Sequence, residues 1–250
     1  MLNRIMKILS YCDSKDTKIP PTELYNEGWL LRLMMDWFYT NKVNSHELAF
    51  DTDARWYSEA LLPSRFLARY RGDKLAESYT NADGVIGHFE IGNRGKGDIK
   101  FNCIARQFKV LEAKIYSKLS SGVSNASYYN QTARNVACMV EVISRENIYI
   151  DNLNDIGLYV LAPEKQIENK PSFKKYTLKN YIESTVLKRV EEYENKEKKE
   201  WYNNWFLPLL ENIDIKCISW EEIINFIKDK DNDYGKELDK FYDNCLKYNG

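Results

Sequence analysis

Residues 108–115 read Phe-Lys-Val-Leu-Glu-Ala-Lys-Ile, and no other segment constrains the fold as tightly. The pattern predicts a β-strand. Side chains alternate between faces along a strand, so Glu112 and Lys114 share one face about 7 Å apart, with Val110 beside them. Leu111, Ala113 and Ile115 take the other face. A charged pair among apolar neighbours is costly to bury unless a partner or a metal ion meets it. The rest of the chain must therefore bring something to this face.

The candidate partner is Asp98, which follows Gly97 at the start of a strand predicted over residues 98–105. If three residues (105–107) connect this strand to the next, Asp98 falls opposite Lys114 and on the face of Glu112. A two-residue turn would put it on the far face. A further strand is predicted over 84–91, and residues 92–97 form a Gly-rich turn. Pro20-Pro21-Thr22 stops the chain before a helix over 26–40, whose buried face carries Trp29, Leu30, Leu33, Met34, Trp37 and Phe38. A second helical region is predicted over 53–70, interrupted at Pro63 with Ser64 capping its continuation. After a loop at 120–124, Ala133, Val136, Ala137, Val140 and Ile143 mark a long helix over 126–146. Residues 156–161 are a strand stopped by Pro163. From 172 onward the pattern is mainly helical, with alternating charges over 188–200 that fit a solvated face. A last short strand is predicted at 215–219, and Ser219 with Glu222 fits a capping box for a final helix. Strands mixed with crossover helices predict an α/β architecture, a mixed sheet flanked by helices. Residues 1–165 form its core and 166–250 a mainly helical region packed on that core.

Bulk composition sets limits rather than a function. The 250 residues include 44% hydrophobic and 29% charged side chains, ordinary for a globular chain, with 14% aromatic and 18 Tyr. A formal net charge of -1 gives no general attraction for nucleic acid, though a local basic cleft can sit on a neutral protein. Cys12, Cys103, Cys138, Cys217 and Cys245 are scattered, without zinc spacing, which fits a reducing compartment. No secretory signal pattern and no apolar run near the ~20 residues of a bilayer span is present, so the expectation is a cytoplasmic protein with no membrane partner. The sequons at Asn125 and Asn130 are then incidental.

Other chemistries find little support. His46 and His88 are the only histidines, and neither has the context of a Ser–His or Cys–His nucleophile. Asp51 and Asp53 lack calcium-loop spacing. The 92–97 turn, with Arg94 and Lys96, is not a phosphate-binding Walker loop. Glu90 reads as an exposed strand carboxylate, with a further ligand as the other reading, and Trp201, Trp205 and Phe206 as core or subunit packing, with base stacking or a partner contact as the other. Lys109, Arg106, Lys114, Lys118 and Arg134 cluster in sequence around the charged strand and could form a local basic surface.

Gly97-Asp98 followed by Glu112-Ala113-Lys114, within the order helix, strand, Asp-bearing strand, E-x-K strand, helix, strand, resembles the PD-(D/E)XK nuclease superfamily. The resemblance covers about residues 24–162, with Gly97 standing where the family pattern has Pro. It implies a restriction-endonuclease-like fold and a Mg²⁺-dependent nuclease, Mn²⁺ substituting, that hydrolyses phosphodiester bonds of DNA in restriction, defence or repair. Asp98, Glu112 and the carbonyl of Ala113 would hold the ion, and Lys114 would position the attacking water. Glu27, opening the first helix, corresponds to an acid some members add to the metal site; a helix-dipole contact is the other reading. Gln131 corresponds to a Gln on the helix after E-x-K, sharing a face with Arg134 and Asn135. Phosphate or water contact and plain surface polarity both remain open for Gln131 and Arg134. The resemblance also allows a homodimer. Two rivals remain: a non-catalytic member of the same fold that binds nucleic acid or protein, and an assembly protein whose 188–210 region packs on a partner.

Overall fold

The computed structural model describes residues 1–92, 97–101 and 105–250. Residues 93–96 of the expected turn, with Arg94 and Lys96, and residues 102–104, with Cys103, lie outside the described residues.

Helix α1 spans Leu2–Leu9 and α2 spans Glu27–Asn41. Strands β1 (Arg55–Leu62), β2 (Thr80–Gly87), β3 (Phe89–Ile91), β4 (Ile99–Phe101) and β5 (Gln107–Ala113) follow. Helix α3 (Gln131–Arg145) leads to β6 (Asp155–Ala162), then α4 (Glu164–Asn169), α5 (Pro171–Tyr176), α6 (Lys179–Glu191) and α7 (Lys196–Trp201). A π-helical turn at Tyr202–Phe206 runs into α8 (Leu207–Asn212). Strand β7 (Asp214–Ser219), α9 (Trp220–Lys230) and α10 (Asn232–Asn249) complete the order.

The main sheet has five strands in the order β1-β2-β5-β6-β7. Strands β1, β2 and β5 pair antiparallel, while β5, β6 and β7 pair parallel. This is an α/β fold with a mixed sheet flanked by helices. Parallel neighbours require a crossover, and α3 supplies the one between β5 and β6. On one face Val85, Phe108, Val110 and Leu158 pack against Val136 and Val140 of α3 and Ile182 and Val186 of α6. On the other, Ile86, Leu111, Ala113 and Leu161 pack against Leu31 and Met34 of α2, Trp220 of α9 and Tyr242 of α10. The last strand joins the sheet through β6, and Ser219 caps α9 by accepting the Glu222 N–H at 3.0 Å. Among the described residues no helix is long and apolar enough to cross a membrane.

Two expectations are corrected. In the region expected to be helical over 53–70, residues 63–70 form no helix and Arg55–Leu62 is strand β1. Its pairing with β2, from Arg55 opposite Gly87 to Leu62 opposite Thr80, overrides the helix-forming Glu-Ala-Leu-Leu run. Glu59 interrupts the ladder there with φ at 58°, an uncommon conformation for a residue with a Cβ. The second correction concerns the strand bearing Asp98. Strand β4 pairs with β3, Phe89 opposite Phe101 and Ile91 opposite Ile99, and not with β5. The place beside β5 is taken by β2, with Gly84 opposite Leu111 and Gly87 opposite Phe108, and Ala82, Val85 and Ile86 of that strand are buried.

Trp220 ties the helical layer to the strand end. It is fully buried, and its indole N–H donates to the carbonyl of Lys114 at 2.8 Å. Trp220→Ala should lower unfolding free energy by about 3–5 kcal/mol, and Trp220→Phe by roughly 1 kcal/mol through the lost hydrogen bond. Urea denaturation of both variants measures this; an Ala variant as stable as the parent contradicts the packing described.

Candidate active site

Glu112 and Lys114 sit at the C-terminal end of β5, where the register also delivers a second acid. Gly84 lies opposite Leu111 and Val85 opposite Val110, so the next step sets Asp83 of β2 opposite Glu112 and on the same face. The Asp83 side chain accepts the Ala113 N–H at 2.7 Å through Oδ2, replacing a ladder bond where the strands part. The Lys114 ammonium lies 3.9 Å from the same oxygen and bonds directly to Oε1 of Glu112.

Helix α3 closes the site from above. Asn130 caps it by accepting the Ala133 N–H at 3.0 Å, which starts the helix directly over the end of β5. Two residues one turn apart then reach down. Gln131 donates to Glu112 Oε1 at 2.5 Å, and Asn135 donates to Glu112 Oε2 at 3.0 Å. The Gln131 carbonyl oxygen in turn accepts the Ser120 N–H at 3.2 Å, which fixes the amide's orientation.

The electrostatics follow from burial. Glu112 is 1% exposed. Burial foremost, then the adjacent Asp83 carboxylate, raises its pKa above the ordinary carboxylate range, while Lys114 and the Asn135 amide pull it back. Burial works against the Lys114 ammonium, but Glu112, Asp83 and more distantly Glu27 outweigh it and hold its pKa above the usual lysine value. Lysine therefore stays charged, and Glu112 carries a strain that more positive charge would relieve.

The sequence-predicted residues divide into two groups. Glu112, Lys114 and Gln131 converge, and half-buried Glu27, the first residue of α2, contributes to the field at Lys114. Asp98 does not join them. It forms an isolated bridge with Leu61, its carbonyl accepts the Gly92 N–H at 2.7 Å, and it lines a separate cavity of about 490 Å³ with Val142 and Arg145. Those residues end α3, whereas Gln131 begins it. A helix rises about 1.5 Å per residue, so the two ends stand roughly 20 Å apart. Arg134 turns away as well: its guanidinium donates to the carbonyls of Ser78 and Tyr79 at 3.0 and 3.4 Å and lies 3.4 Å from Glu77. It anchors the entry to β2.

Other residues singled out in the sequence have structural partners. Lys109 pairs with Asp155 at 2.8 Å and Arg106 with Asp51 at 3.2 Å, both by the opposite end of β5 from Lys114. His88 accepts the Gln107 N–H at 3.1 Å, and His46 accepts the Leu48 N–H at 3.0 Å. Trp201 packs on Phe66 and Phe206 in the core.

Asp83 is the residue that sequence reasoning missed. Its signal was present: a lone carboxylate inside the apolar run Ala82-Asp83-Gly84-Val85-Ile86.

Carboxylate oxygens are the kind of donor a hard divalent cation takes. A carboxylate offers about four acceptor positions; Glu112 uses three, and the Asp83 carboxylate adds negative charge that disfavours the ionised form of Glu112. Magnesium asks for few protein carboxylates and retains waters. Among the described residues, no set of three or more His, Cys, Asp or Glu side chains gathers as a metal-ligating group. Asp83 and Glu112 are the two carboxylates that meet here. No protein-family model, curated protein or solved structure matches this chain.

The raised Glu112 pKa gives a signed stability effect. The folded protein holds this proton more tightly than the unfolded chain. The stabilising contribution is thus present below the ordinary value of 4.5 and is lost as pH rises toward the folded pKa. Relative to Glu112→Gln, the parent should lose stability as pH climbs above 4.5, and millimolar Mg²⁺ should restore it. Thermal melts across pH with and without Mg²⁺ test this; a difference that is flat in pH and indifferent to Mg²⁺ contradicts the assigned strain.

Proposed function

We propose that this chain is a Mg²⁺-dependent nuclease of the PD-(D/E)XK type, acting on DNA, with Asp83 in the role that the sequence reading gave to Asp98. The observation that carries the proposal is the convergence of Asp83, Glu112, Lys114 and Gln131 where β2, β5 and the start of α3 meet. Asp83, Glu112 and the Ala113 carbonyl would hold the ion, with Glu27 on the adjoining helix. A bound divalent cation supplies a lowered water pKa and neutralises charge on the phosphodiester oxygens.

The chain's own groups supply the remainder. Lys114, kept charged by two acids, holds the attacking water or a non-bridging phosphate oxygen by hydrogen bonding. Gln131 and Asn135 fix both oxygens of Glu112, so the carboxylate does not rotate when substrate arrives. Asp83 is oriented by its bond to the Ala113 amide. Hydrolysis of the phosphodiester leaves one product with a terminal phosphate and the other with a hydroxyl.

A second reading has one observation in its favour. The described residues gather only two carboxylates at the core of the site, without a third metal-ligating side chain. A binding module of the same fold, without catalysis, would look like this too.

Cleavage of duplex DNA with and without Mg²⁺ separates the readings. Asp83→Asn, Glu112→Gln and Lys114→Ala should each reduce Mg²⁺-dependent cleavage by roughly 10²-fold or more, while Asp98→Ala leaves it unchanged. Full activity in the Asp83 variant, or its loss only in the Asp98 variant, refutes the assignment. No cleavage by the parent and no Mn²⁺ binding by calorimetry favours the binding module.

A further inference from the structure

Helix α1 is the outlier of this fold. Helices α2, α3, α6, α9 and α10 each bury a stripe of side chains, but no residue of α1 is buried. Yet α1 is amphipathic. Leu2, Ile5, Met6 and Leu9 follow the i, i+3, i+4, i+7 spacing of one face, and Asn3, Arg4 and Lys7 take the other. Leu2 is 76% and Met6 67% exposed. So short a helix is marginal in water without a surface to pack on.

Charge indicates what the surface is. The helix contains no acid, and Arg4 and Lys7 are joined by Lys15 and Lys18 in a chain of net charge -1. Of the two nearby acids, Asp13 is already engaged by the Tyr25 hydroxyl at 3.2 Å. Arg4, Lys7 and Lys18, with the acid Asp16 among them, border a groove of about 590 Å³ whose apolar walls include Ile8 and Tyr11. Over residues 2–18 four cations, Arg4, Lys7, Lys15 and Lys18, outnumber the two acids Asp13 and Asp16, which suits an anionic surface beside the apolar stripe. A second copy of the chain would instead bring two sets of these cations together.

We propose that residues 2–18 dock on anionic phospholipid. The helix lies in the plane of the membrane surface, its apolar stripe reaches the acyl boundary, and Arg4, Lys7, Lys15 and Lys18 meet lipid phosphates. This departs from the sequence expectation of no membrane partner, which rested on the lack of a spanning segment. Lying on a bilayer needs no such segment. The inference is independent of the nuclease reading.

The test is co-sedimentation of the full chain with phosphatidylcholine vesicles and with vesicles also containing phosphatidylglycerol. Binding to the anionic vesicles should be at least about tenfold stronger, weakening as salt rises. Ile5→Asp and the pair Arg4→Glu with Lys7→Glu should each return binding to the neutral-vesicle level. These residues are exposed, so the variants should melt like the parent, which a thermal scan checks. Equal binding to both vesicle types, no binding to either, or an Ile5→Asp variant that binds like the parent overturns the proposal. So does a lipid-free dimer that Ile5→Asp converts to monomer in sedimentation velocity, because the face would then belong to a second copy.

Discussion

A carboxylate buried as deeply as Glu112 must be met by donors, and much of this fold is arranged around that requirement. Lys114 answers it from the same strand, two residues on, and Gln131 and Asn135 answer it from the first two turns of α3. Those helical donors reach the strand end only because α3 is the crossover between parallel strands β5 and β6. Removing any donor while leaving the acid would strand charge in an apolar layer, where the penalty runs to several kcal/mol. The crowding of negative charge at Glu112 and Asp83 is the feature on which the proposed cation site rests.

The opposite sheet face shows how the site is kept rigid. Trp220 holds the Lys114 carbonyl from below, and Leu111 and Ala113 alternate with Val110, Glu112 and Lys114 to pack on α2 and α9. Phe108 and Val110 join the core on the face of Glu112, and Leu111 and Ala113 the core on the other, which leaves β5 little freedom to slip. A one-residue shift would exchange the two sets. Helix α3 likewise separates its ends. Its N-terminal turns contact Glu112, while its C-terminal end faces the cavity of Asp98 and Arg145.

The strand carrying Glu112-Ala113-Lys114, the helix expected over 126–146 and found at Gln131–Arg145, and the strands at Asp155–Ala162 and Asp214–Ser219 could be read from local pattern, because period is a property of short segments. Strand pairing is not such a property. Asp98 was matched to Lys114 on the assumption that neighbours in sequence form a hairpin, whereas β4 pairs back to β3 and β2 inserts beside β5. The choice is made by burial over the whole sheet, which no window of residues contains. The same cause explains β1, where Glu-Ala-Leu-Leu reads as helix until β2 is present to pair with it. Asp83 escaped notice for a related reason: a lone acid in an apolar strand becomes meaningful only once its cross-strand neighbour is known. Gln131 was legible by position on the helix, and its grip on Glu112 needed the fold.

The central claim is that Asp83, not Asp98, completes a cation site with Glu112. Anomalous diffraction from crystals soaked in Mn²⁺ addresses it without reference to any substrate. The account predicts a manganese peak between the carboxylates of Asp83 and Glu112, beside Lys114. A featureless map at that position, or a peak at Asp98 instead, contradicts it.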